Sequence, residues 1–142
     1  MTPDLASLAE RFGGTLDDAG FDPTIRVPRE NWRALAAALA ADGVWFSDVT
    51  AVDTGETVDV VAHVCASRSE QITLKTALSD DDLTVDSLVP VWPGVEWLER
   101  EVYDMFGVSF DGHPDMTRIL LYEGFEGYPL RKSFLLDVEE DG

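Results

Sequence analysis

Between Val44 and Ala77 three runs of strand-favouring residues follow one another, parted only by the turns Asp53–Glu56 and Ser67–Glu70. Strands joined this tightly have no room for a crossover, so they pair as antiparallel hairpins. The runs are Val44–Val52, Thr57–Ala66 and Gln71–Ala77. Side chains alternate along a strand, so in the third run Ile72 and Leu74 point one way and Thr73 and Lys75 the other. The apolar side needs a cover, and the sequence offers helices for it upstream. Pro3–Arg11 has Leu5, Leu8 and Phe12 at helical spacing and is stopped by Gly13-Gly14. Thr24–Val27 reads as a short strand. Pro28 then opens a helix to about Ala41, with Trp32, Leu35 and Leu39 as its packing face. The expectation is an α+β fold: a small, mostly antiparallel sheet with helices on one face.

The chain has 142 residues, room for one core. Its formal charge of −18 argues against nucleic acid, which is bound through Lys and Arg. It argues equally against direct adhesion to anionic lipid heads. No apolar run is long enough to span a bilayer, and MTPDLASLAERFGG has neither the basic nor the apolar region of a signal peptide. The lone cysteine, Cys65, reads as a small core hydrophobe, and one thiol supplies neither an internal disulfide nor a thiolate cluster. His63, among valines, reads as a sheet-face histidine. The four tryptophans, Trp32, Trp45, Trp92 and Trp97, divide between core and interface.

Downstream, the prolines of Leu88–Gly94 make that stretch extended, and Pro93-Gly94 leads into a helix from about Val95 to Phe106, stopped by Gly107. At about 100° per residue, Val95, Leu98, Val102, Met105 and Phe106 form one face, with Glu99 and Glu101 at its two margins. Arg100 lies opposite, four residues from Glu96 and from Asp104. After Gly107 regular pattern fades: SFDGHPDMTRILLYEGFEGYPLRKSF is rich in glycine and aromatics. The expected division is therefore 1–106 as the α+β domain and 107–142 as an extended arm docking on a partner.

Three readings of this region compete. A metal or acid–base site from Glu99, Glu101, Asp104, His113 and Asp115 suffers from geometry, because Glu99 and Glu101 diverge on the helix and no ExxH or HExxH spacing occurs. An ordinary amphipathic helix would leave its charges solvated. A buried ionic brace would pair Glu99 or Glu101 with Arg118 or Arg131, within the chain or across an interface, and would order the irregular tail. The brace explains most. His113, before a proline in a glycine loop, reads as a backbone-bonding residue that fixes a turn.

The stretch GVEWLEREVYDMFGVSFDGHPDMTRILLYEGFEGYPLRKSF resembles the signature of the C-type subunit of respiratory complex I, the thirty-kilodalton-subunit family. The ERE-x-x-D-M-F-G element stands at Glu99–Gly107, G-H-P-D at Gly112–Asp115 and G-x-P-L-R-K-x-F at Gly127–Phe134; DVTAVD, VDVVAHV and ITLKT upstream are also similar. The chain departs from the pattern at Thr117, Tyr128, Ser133 and Leu135, where the family usually has a basic residue, histidine, aspartate and proline.

The resemblance implies a structural subunit of a proton-pumping NADH:quinone oxidoreductase with no active site and no cofactor of its own. It implies a peripheral position on the cytoplasmic side of the cell membrane, beside the forty-nine-kilodalton-type (D-type) subunit and the iron–sulfur subunits. The residues it makes structural or interfacial are Glu99, Arg100, Glu101, Asp104, His113, Asp115, Arg118, Arg131 and Lys132. Two alternatives stay open. One is the equivalent subunit of an energy-converting hydrogenase, a formate-hydrogen lyase or a ferredoxin- or deazaflavin-fed dehydrogenase. The other is a small hydrolase using the acidic cluster.

Overall fold

A computed structural model describes residues 4–118 and 127–131 of the chain. It begins with helix α1 (Leu5–Arg11), capped by the Asp4 carboxylate accepting the Ser7 N–H. Strands β1 (Thr15–Asp17) and β2 (Thr24–Arg26) follow, then a 3-10 turn at Arg29–Asn31 and helix α2 (Trp32–Ala41). The three predicted hairpin strands are β3 (Trp45–Asp53), β4 (Thr57–Ser67) and β5 (Glu70–Ser79). They pair antiparallel, as the short turns require.

The sheet order is β1-β2-β5-β4-β3. β2 runs parallel to β5, so the sheet is mixed, with three of its four pairings antiparallel. A parallel neighbour is available here because α2 and the two hairpins give the chain length to return alongside β2.

The core lies on one face of this sheet. Register sets Val58 opposite Leu78, Ala62 opposite Leu74 and Val64 opposite Ile72, and all six are buried. α2 covers them with Trp32, Leu35 and Leu39, which have no exposed surface. Each such side chain contributes about 1.5–3 kcal/mol when fully buried. The opposite side of the sheet carries the ion pair Arg26–Asp59 at 3.6 Å and a hydrogen bond between His63 Nδ1 and the Asp48 carboxylate at 2.5 Å. Cys65 sits half-buried toward this face, alternating with Val64, so it is not the core residue its apolar neighbours suggested. Of the tryptophans, Trp32 and Trp92 are buried and Trp45 and Trp97 are half exposed.

Leu88–Gly94 is not extended. The Val91 and Trp92 amides both bond to the Leu88 carbonyl, and a 3-10 turn at Pro93–Val95 leads into helix α3 (Glu96–Phe106). Proline tolerates both places, and burial of Leu88, Trp92 and Val95 favours the tight turn over an extended run. The sequence reading also missed three three-residue strands: β1, and β6 (Thr84–Asp86) and β7 (Ser109–Asp111), the last two pairing in parallel beside the main sheet. Val85 meets Phe110 there and both are buried. Val108 and Phe110, at the start of the expected arm, are part of this chain's own core.

Candidate functional site

α3 carries the first element of the resemblance, and its buried face is rotated from the one the helical wheel suggested. Val95, Glu99, Val102 and Phe106 point inward; Leu98 and Met105, expected in the stripe, are half-buried at its margins. Glu99 is therefore central, with no exposed surface. Its carboxyl is met by the Ser87 hydroxyl at 2.6 Å and by the Leu88 N–H at 2.8 Å. Burial pushes its pKa above the ordinary carboxylate range, opposed by those two hydrogen bonds. Glu99 thus ties α3 to the turn that precedes it.

Asp104, also fully buried, is the acid that forms the ionic brace. Arg118 Nε lies 2.6 Å from Asp104 Oδ1, and Nη2 donates to the Asp104 carbonyl at 2.8 Å and to the Gly127 carbonyl at 2.7 Å. The guanidinium also covers the Tyr128 ring at 4.8 Å. One arginine therefore joins the end of α3 to both flanks of residues 119–126. Gly107 makes room for this. It caps α3 at φ +81°, and a Cβ there would stand 2.9 Å from the Tyr128 ring.

Arg131 forms a second anchor. It bonds to Asp53 Oδ2 at 2.9 Å and to Asp80, so it binds the segment 127–131 to the ends of β3 and β5. The Leu130 amide adds a bond to the Met105 carbonyl at 2.9 Å.

Within the chain these contacts correct the expected pairing. Among the described residues, Arg118 and Arg131 meet Asp104, Asp53 and Asp80, not Glu99 or Glu101. The physical reason is helix phase: Asp104 lies on α3 where Arg118 can reach it, while Glu99 faces backbone and hydroxyl donors inside the core. Glu101 is half-buried and accepts from the Trp97 indole at 3.2 Å.

Arg100 reaches Glu96 at 4.0 Å and Asp115 at 3.9 Å, and it donates to the Thr117 carbonyl and hydroxyl. His113 Nε2 bonds to the Glu96 carbonyl at 2.9 Å, and its Nδ1 accepts the Asp115 N–H at 2.9 Å. This fixes the turn after β7 against the start of α3, with Nε2 carrying the proton. Lys132 lies outside the described residues. Sequence reasoning missed Ser87, Asp53, Asp80 and Tyr128 as partners; nothing local marks them, since each is brought in by tertiary packing.

Among the described residues no group of three or more His, Cys, Asp or Glu is placed to hold a metal, and no helix is long and apolar enough to cross a membrane. The arrangement is one of clamps: Glu99, Asp104 and Arg100 join α3 to neighbouring loops, and Arg131 joins the segment 127–131 to the strand ends.

Known proteins share this sequence over most of its length. The C 1 subunit of NADH-quinone oxidoreductase from Rhizobium meliloti (strain 1021) is 43% identical over 94% of this chain and 72% of its own length. The C subunit from Brucella abortus (strain 2308) is 38% identical over 91% of this chain and 69% of that protein. The profile described as "Respiratory-chain NADH dehydrogenase, 30 Kd subunit" matches residues 25–140. The chain belongs to this family. A further relative, the C/D subunit of NADH-quinone oxidoreductase from Psychrobacter sp. (strain PRwf-1), is 55% identical over 67 residues, which are 47% of this chain and 11% of that much longer protein. The family fold is also seen in solved structures. The trypsin-resistant fragment of Nqo5 aligns with TM-score 0.68 at 24% identity, covering 78% of this chain and 96% of the fragment. A chain of the membrane-bound sulfane sulfur reductase, an archaeal respiratory membrane complex, aligns with TM-score 0.78 at 23% identity over 96% of this chain and 88% of that one. Glu99, Arg100, Glu101 and Asp104 all fall on α3, inside the region that the family profile matches.

Proposed function

We propose that this 30 kDa-family chain is a non-catalytic peripheral-arm subunit of an NADH:quinone oxidoreductase, bracing the D-type subunit and the quinone-site region from outside the membrane. The observation that carries the reading is the C/D relative, in which a region 55% identical to this chain belongs to the same polypeptide as a D part. Fusion of two chains is tolerated when they work side by side. The geometry fits a positional role: the signature residues with described contacts hold α3, the turn after β7 and the segment 127–131 together. Quinone seating and electron tunnelling depend on fixed distances, which a rigid neighbour supplies. The arm that docks on the partner is proposed to start after β7, since Val108 and Phe110 are in the body of the chain. The chain itself is proposed to bind no cofactor.

The test is affinity purification of the native complex through a tag on this chain, followed by mass spectrometry. The reading expects a D-type subunit, iron–sulfur subunits and a flavin-bearing NADH module. Recovery with hydrogenase-type subunits and no NADH module would instead assign it to one of the related complexes. Recovery of the chain alone would overturn both.

A further inference from the structure

β3 is the outer strand of the five-stranded sheet, paired on one side only among the described residues. It spans nine residues, WFSDVTAVD, with no lysine or proline, and it is interrupted by one irregularity between Phe46 and Asp48. The irregularity, Asp48 and Asp53 guard its two ends, but residues 49–52 between them have neither charge nor proline, and an edge left open over such a stretch templates pairing with another chain. Trp45 and Val52 stand half exposed along this one, at 46% and 52%.

A groove of about 180 Å³ runs beside the same edge. It is lined by Val49 and Thr50, consecutive residues whose side chains point to opposite faces, so it follows the strand's edge and not one face. α3 supplies the far wall through Val102 and Met105, and Leu130 closes one end. Glu101 stands on that wall. Among the described residues no cation pairs with it; its hydrogen-bond partner is the Trp97 indole.

We infer that the β3 edge and this groove form a strand-addition site for a partner protein of the complex: an extended segment pairs with β3, sets one apolar side chain between Val102, Met105 and Leu130, and places a Lys or Arg beside Glu101. Backbone pairing supplies register, and the two side-chain subsites supply selectivity. Charge selects the occupant. The chain carries −18, and Glu101 lines the groove, so a second copy would bring like charge to like charge, whereas a basic segment of a different protein is complementary to it. This rests on the proposed role in a multi-subunit complex and names where on the chain one partner docks.

The experiment uses the tagged chain in its native complex. A photo-crosslinking amino acid is introduced at Thr50, which is exposed, and Glu101→Lys and Glu96→Lys are made separately. The expected result is a crosslink from position 50 to a basic, apolar-containing segment of another subunit. Glu101→Lys should lower recovery of that partner about tenfold or more, as for an interfacial charge left beside a like charge. Glu96→Lys should leave it within about twofold, as for an exposed charge. If the chain brings down its complex but position 50 crosslinks only within this chain or to a second copy, the docking site is wrong and the proposed function stands. Equal recovery with Glu101→Lys and Glu96→Lys overturns the charge subsite. If the unaltered chain brings down no other protein of the complex, both the function and the site fall.

Discussion

The Glu99 carboxyl and the Ser87 hydroxyl meet at 2.6 Å in a position where neither residue has exposed surface. Ser87 also accepts the Val89 N–H, so the pair links α3 through one hydroxyl to the turn before it. Among the described residues the Glu99 carboxyl has hydrogen-bond donors but no salt-bridge partner, and burial raises its pKa, which favours the protonated form.

This gives a pH prediction. The folded-state pKa is raised above the unfolded one, so between the two values the native state binds more protons than the unfolded state. The stabilisation is then fully present below the ordinary carboxylate pKa and is lost as pH rises through the folded value. Glu99→Gln keeps one oxygen to accept from Leu88, puts an NH2 where the other oxygen accepted from Ser87 so that the hydroxyl must turn to accept, and has no charge to bury. Urea unfolding from acid to neutral pH should therefore show the Gln variant gaining on the wild type as pH rises. Glu99→Ala should lose on the order of 3 kcal/mol at acid pH, from the cavity and the stranded Ser87 and Leu88 donors, and less as pH rises and the wild type weakens. A wild type that gained on Glu99→Gln with rising pH would mean the carboxylate is the preferred buried form.

The Asp104–Arg118 clamp predicts a contrast along one helix. Asp104 has no exposed surface and Arg118 little, so removing either partner leaves a desolvated charge. Arg118→Ala should cost about 3–5 kcal/mol, the usual range for a broken buried pair. Glu96→Ala breaks a pair that is 4.0 Å long and nearly half exposed on the acid side, and should cost less than about 0.5 kcal/mol. Denaturant midpoints of the two variants decide it; equal shifts would make Arg118 a surface contact.

How far the sequence carried this picture depends on the range of the interactions. The three hairpin strands, α2 and α3 were legible because period and turn length are local signals, as in Ile72 and Leu74 against Thr73 and Lys75. The need for a buried ion pair on α3 was legible too. Its partners were not, because a wheel drawn on a straight helix misplaced the buried face, moving Glu99 from the centre to a margin. Asp53 and Asp80 gave no hint of Arg131, from which they are separated by 78 and 51 residues. The three-residue strands β6 and β7 are too short to show alternation, and it is the pairing of Val85 with Phe110 that creates them.

Gly107 offers a test of local geometry. Its φ of +81° disfavours any side chain, and an added Cβ would press on the Tyr128 ring. Gly43 has φ +86° and nothing within 4 Å of an added Cβ. Gly43→Ala should therefore cost only the left-handed backbone penalty, roughly 1–2 kcal/mol. Gly107→Ala should cost more, and the excess should disappear when Tyr128→Ala removes the ring. Thermal or urea midpoints of the single and double variants measure it. An excess that survives the second change would place the conflict elsewhere.

Arg131 joins three parts of the chain that are remote in sequence, so its replacement separates charge from shape. Its guanidinium reaches Asp53 through Nε and Asp80 through Nη2, two directions a lysine ammonium cannot satisfy at once. Asp53 is nearly buried, at 7% side-chain exposure, whereas Asp80 is open to solvent. Arg131→Lys should keep partial compensation of Asp53 and lose about 1–2 kcal/mol, the value of a hydrogen bond to a charged group. Arg131→Ala leaves Asp53 without that cation and should lose about 3–5 kcal/mol. Stability alone would not show that the residue holds the segment 127–131 in place. Hydrogen exchange at the Leu130 amide does, because that amide is bonded to the Met105 carbonyl. It should exchange faster in Arg131→Ala than in Arg131→Lys, while amides at the centre of β4 change only with global stability. If Leu130 stays as protected in the alanine variant as in the wild type, the segment is held by the Arg118 clamp and by packing, and Arg131 serves only to neutralise Asp53.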